Sequence, residues 1–85
     1  FVSIPKFFTA TAVRIYGTNV SKDYYVYEAN INTNTITLKG SATAIGSENN
    51  ITDVASTSTN YLVIRVTSAG STDEIHGGFV EITAT

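Results

Sequence analysis

Cysteine is absent from this chain of 85 residues, proline and histidine occur once each, and charged residues make up only 14%. Each scarcity excludes something. Without cysteine no disulfide can staple the fold, and one histidine cannot supply the three or four ligands of a zinc site. The five basic residues, Lys6, Arg14, Lys22, Lys39 and Arg65, are scattered rather than gathered into a stripe. With a net charge of −2, the chain carries no electrostatic footprint for nucleic acid. No apolar run approaches the ~18 residues of a membrane span, and none reads as the core of a signal peptide. No stretch sustains a 3.6-residue hydrophobic period, so helix content is expected to be near zero.

Length permits one domain, residues 1–85, with a thin core. Below about 70–80 residues a single core rarely supplies more than ~3–5 kcal/mol, and this chain lies just above that limit. Disulfides and metal being excluded, partner chains are the remaining means of stabilisation. A homo-oligomer is therefore expected. Serine, threonine and asparagine together account for 29 residues, which suits exposed strand positions and turns. Such a composition is associated with secreted surfaces and virus particles. The chain opens on Phe1 rather than Met, as expected of a processed chain or a piece excised from a longer one.

The clearest pattern is in the last third. Asn60-Tyr-Leu-Val-Ile-Arg-Val-Thr67 and Asp73-Glu-Ile-His-Gly-Gly-Phe-Val-Glu-Ile-Thr83 are β-branched, apolar runs on either side of a polar turn, Ser68–Thr72. That arrangement predicts a hairpin. A second hairpin is predicted from Tyr24–Ile31 returning through Ile36-Thr-Leu-Lys39, with Ile36 and Leu38 inward. Thr11–Tyr16 alternates, placing Val13 and Ile15 on one face. Gly40–Asn50 reads as a loop with at most a weak strand, and Ile51–Val54 as a short strand or a single turn. Residues 1–8 alternate and then meet Pro5, which predicts an edge strand or an arm lying on another surface. Six or seven strands at ~8–12-residue spacing predict an all-β fold. Its form is a small antiparallel β-sandwich or jelly-roll-like domain, completed by neighbouring chains. The expected core is Val13, Ile15, Val26, Ile36, Leu38, Leu62, Ile64, Val66, Ile75, Phe79 and Ile82.

Catalytic chemistry lacks its parts. His76 stands beside Asp73 and Glu74 but has no nucleophile to activate, and the following Gly77-Gly78 suits a bulge or a close backbone approach. Asp73 and Glu74, with Asp53 or Glu48, could begin a calcium site, but no Asp-x-Asp-x-Asp-Gly loop is present. Glu28, Glu48, Asp53 and Glu81 have no spacing that fixes two carboxylates across a cleft. No enzyme activity, catalytic residue, metal or cofactor is expected. Phe1, Val2, Ile4, Phe7 and Phe8 form an apolar segment suited to an interface. Tyr24, Tyr25 and Tyr27 are the candidate ligand or interface aromatics, with Tyr25 and Tyr27 sharing a strand face. Asn19-Val-Ser21 and Asn50-Ile-Thr52 match the glycosylation acceptor pattern at a frequency chance explains.

The closing pattern, Leu62-Val-Ile-Arg-Val66, a polar turn and Asp73–Ile82 with its Gly-Gly-aromatic run, resembles small β-sandwich structural proteins of tailed-phage particles. So does the middle segment, Tyr27-Glu-Ala-Asn-Ile-Asn-Thr-Asn-Thr-Ile-Thr-Leu38. Together they cover about half the chain. The resemblance implies a virion structural role as a capsid decoration (cement), fibre or tail component, commonly trimeric, and it carries over no catalytic residue. Other virion proteins would be its partners and the virion its location. Two other readings stand beside it: a carbohydrate-binding β-sandwich that offers tyrosines to a glycan, and a bacterial surface or filament subunit completed by strand exchange. Either would place the chain outside the cell or on its surface.

Overall fold

A computed structural model of the chain describes residues 1–18, 22–67 and 73–85. These residues form six strands: β1 (Phe8–Gly17), β2 (Tyr24–Asn30), β3 (Thr35–Ala42), β4 (Asn49–Ala55), β5 (Asn60–Val66) and β6 (Ile75–Ala84). Among the described residues there is no helix, and hence none long and apolar enough to cross a membrane. The strands form two three-stranded antiparallel sheets, ordered β4-β1-β6 and β3-β2-β5. The sheets pack together as a small sandwich, as the alternation predicts.

Both central strands carry their largest inward residues where the sheets meet. Val13 and Ile15 of β1 face Tyr24 and Val26 of β2, and the buried cluster also takes in Ala10, Leu62, Ile51, Val54, Ile45 and Ile4. Val13, Ile15, Val26 and Leu62 are thus core residues as expected. Ile64 and Val66 are half-buried at the margin of the cluster. Ile45 and Ile4, from outside the strands, are buried as well.

Two expectations are overturned. The runs at 60–67 and 73–83 do form strands, but they do not make a hairpin. β5 pairs with β2, and β6 pairs with β1 in the other sheet. Local pattern identifies a strand; it does not choose its neighbour. The polar turn at 68–72 and the acceptor motif at Asn19 lie outside the described residues. The β2–β3 hairpin does form, around Asn34 with φ +53°, but Ile36 and Leu38 point outward and are 67% and 55% exposed. The cause is a bulge. Val26 pairs with Gly40 and Tyr27 with Leu38, so Lys39 is the extra residue. Beyond it Ile36 and Leu38 share the outer face with Tyr27 and Ala29. Lys39 reaches back to Glu28 at 3.5 Å.

Ile75, Phe79 and Ile82 of β6, expected in the core, are also exposed. Phe79 lies opposite Arg14 on the outer face, its ring 6.4 Å from that of Tyr16, while the exposure of Ile75 and Ile82 follows from the shape of the sandwich. β3 and β4 approach one another and close one side, while β5 and β6 stay apart on the other. The open side is where β6 is the sheet edge, and among the described residues no strand lies beyond it.

Candidate interaction site at the open side of the sandwich

Between β5 and β6 the sandwich leaves a cleft of about 530 Å³. One wall is Ile64 and Val66 of β5, and the other is the β6 row of Gly78, Val80 and Ile82; Ile15 is at its base. No charged side chain lines it. β6 is able to form this wall because Gly78 stands opposite Ile15 without a side chain: a Cβ there would run into the carbonyl oxygen of Arg14. The cleft can therefore hold apolar groups. The β6 edge, unpaired among the described residues, can in addition form hydrogen bonds to an extended chain.

Residues 1–5 partly cover the cleft. Val2 and Leu62 exchange two backbone hydrogen bonds of 2.8 Å, adding a one-residue bridge to the β5 edge. Val2 is half-buried and Ile4 is buried in the core cluster, while the Ser56 hydroxyl donates to the Ile4 carbonyl at 3.1 Å. Beyond Pro5 the chain turns sharply into β1. Phe1 and Phe7 are left 95% and 74% exposed, and Phe8 is exposed at the start of β1. Phe1 meets Tyr61 edge-on, with ring centroids 5.4 Å apart. Of the five apolar residues read as an interface segment, two thus pack on their own domain and three remain open.

The tyrosines divide as strand alternation requires. Tyr24 is fully buried, and its hydroxyl donates to the carbonyl of Val13. Burial pushes its pKa above the ordinary tyrosine value. Tyr25 and Tyr27 lie half-buried on the outer face, with the Arg65 guanidinium 5.7 Å from the Tyr25 ring centre.

The charged candidates stay separate. His76 lies 3.7 Å from Glu74, both largely exposed, and Lys22 lies 3.9 Å from Asp73. A different pair emerges. A hydrogen bond to the Glu81 side chain, then the charge of Glu81, raises the pKa of Glu48, with partial opposition from Arg14. Among the described residues no three His, Cys, Asp or Glu side chains group as a metal site.

The cleft itself was missed by sequence reasoning because it is made by what does not pair. Its one sequence signal is Gly77-Gly78, read as allowing a close backbone approach. Comparison with known proteins adds no relative: no family model matches the chain, and neither a curated protein nor a solved structure matches it significantly.

Proposed function

We propose that this chain is a structural protein that works by assembly, using the open side between β5 and β6 as its contact with other chains. The observation that carries this reading is an uncharged cleft beside an unpaired strand edge. A free edge of this kind recruits another strand, and an apolar cleft of this size is a liability on a solitary domain. At about 25 cal/mol per Å², covering a few hundred Å² there adds several kcal/mol, a large gain for so thin a core. The resemblance to phage-particle proteins suggests the setting: a decoration, fibre or tail component of a virion, present as a homo-oligomer, with a trimer favoured. A glycan platform would draw on Tyr25 and Tyr27, but both rings are half covered, which favours assembly.

Sedimentation of the isolated chain at micromolar concentrations tests the reading. Mass must rise with concentration toward a defined oligomer. A chain that stays monomeric throughout overturns it. For the virion setting, proteomic analysis of purified particles from the source should find this chain at a fixed ratio to the major capsid protein, and its absence from particles removes that setting.

A further inference from the structure

We propose that residues 1–5 are an exchangeable segment, which leaves its own β5–β6 cleft and occupies the same cleft of a second copy of this chain. The proposal deepens the assembly reading and rests on it. Three observations carry it.

The segment is lightly held. Among the described residues its bridge is the two hydrogen bonds of Val2 to Leu62, and the Ser56 hydroxyl donates to the Ile4 carbonyl. The Val2 and Ile4 side chains and the edge-on contact of Phe1 with Tyr61 add to the hold, and a second copy would supply all three identically. Exchange therefore substitutes equivalent contacts instead of breaking them.

The hinge is strained. The Phe8 amide donates to the Pro5 carbonyl at 3.1 Å, closing a turn over residues 5–8. Phe7, the third residue of that turn, has φ +71°. A turn that needs positive φ at this position favours glycine or asparagine, and a bulky aromatic there is an outlier held only by its surroundings. The Phe7 side chain is mostly exposed, with the Lys6 ammonium 5.1 Å from its ring centre. A ring so exposed contributes little packing to offset the strain. Opening the turn releases it, and short hinges under strain favour exchange.

The cleft and the segment also match in charge and form. No charged side chain lines the one, and Phe1–Pro5 carries none. In its own domain the turn restricts the segment to one bridge. Opened, residues 1–5 can run as an extended segment about 16 Å long beside part of β6, while Phe7 and Phe8 stay with their own domain through the Thr85 amide and the Phe8–Ala84 pairing.

Single-cysteine chains test the exchange, since the sequence has no cysteine to interfere. Ser3 and Tyr61 line the same shallow recess beside the Val2–Leu62 bridge. A chain with Ser3→Cys mixed with a chain with Tyr61→Cys, then oxidised, should give a cross-linked pair of unlike chains. Ser3→Cys mixed with Thr52→Cys, an exposed β4 position, should not. Sedimentation of two hinge variants supplies the second readout. Phe7→Gly, which accepts positive φ, should raise the dissociation constant of the oligomer about tenfold or more. Phe7→Pro, which cannot adopt it, should shift the constant the other way. An oligomer with no Ser3–Tyr61 cross-link and no response to either hinge variant overturns the exchange and leaves the assembly reading standing. A chain that is monomeric at every concentration overturns both.

Discussion

The Tyr24 hydroxyl donates a hydrogen bond to the Val13 carbonyl oxygen at 3.1 Å, joining the central strand of one sheet to the central strand of the other. Its donor is fully buried, unlike those of the more exposed links from Asn49 to Ser41 and from Asn60 to Ala55 that also join the two sheets. Tyr24 thus contributes both packing area and a specific alignment of β2 on β1.

Tyr24→Phe keeps the ring and removes the bond, so it should cost about 0.5–1.5 kcal/mol in urea unfolding. It should also change the alkaline limb of stability. The unfolded phenol ionises near pH 10, whereas burial raises the folded value. The folded chain therefore keeps a proton that the unfolded chain gives up. This contribution is complete below about pH 10 and is lost as pH rises toward the folded value. Unfolding measured at several alkaline pH values should fall less steeply for Tyr24→Phe than for the natural chain. Equal slopes would show that the hydroxyl is already solvated.

Leu62 and Leu38 should respond in opposite ways to the same truncation. Leu62 is fully buried between the sheets, so Leu62→Ala should cost about 2–5 kcal/mol, much of a small domain's stability. Leu38 lies outward beyond the Lys39 bulge, and Leu38→Ala should change stability by about 0.5 kcal/mol or less. Chemical denaturation of the two variants checks this directly. A large loss at Leu38 would mean that the outer face is covered in solution, as an oligomer could arrange.

Gly78→Ala should detach β6 from β1 locally. The added Cβ meets the backbone carbonyl of Arg14, which cannot move aside as a flexible side chain can. A cost of about 1–3 kcal/mol is expected from such overpacking. Hydrogen exchange should show faster exchange of the β6 amides paired to β1, with β2 and β5 little changed. Uniform protection in the variant would show that the strands can shift to accept the methyl group.

Glu48 and Glu81 should make stability mildly dependent on acid pH. Their hydrogen bond and like charge raise the folded pKa of Glu48, so the folded chain holds a proton more tightly than the unfolded one. The benefit is present below the ordinary glutamate range and is lost as pH rises through the folded value. Both residues are exposed, so the effect is small. Glu48→Gln should reduce the fall in thermal midpoint between about pH 4 and neutrality. An unchanged profile would show that the two carboxyls do not share a proton in solution.

Much of the strand content was legible from residues close together in the chain. Thr11–Tyr16, Tyr24–Tyr27 and Tyr61–Ile64 all read as strands and are strands. The outward turn of Ile36 and Leu38 was not legible, because one extra residue at Lys39 reverses which face they occupy. Nor was the cleft, since it depends on β5 and β6 entering different sheets. Residues 1–8 read as an edge strand or an arm, yet Phe8 opens β1. The strained turn at Phe7 was not legible, for nothing in Pro5-Lys-Phe-Phe8 calls for positive φ.

By itself the sequence determined that this chain is built of antiparallel strands around a thin, cysteine-free core. Period-2 alternation, β-branched runs and turn residues act over a few positions, so they can be read without knowing the partners. Only the tertiary structure decided which strands became neighbours, where the bulge reversed a face, and which side of the sandwich stayed open. Those outcomes depend on contacts between segments far apart in the chain, where many pairings satisfy the same local pattern and packing selects one.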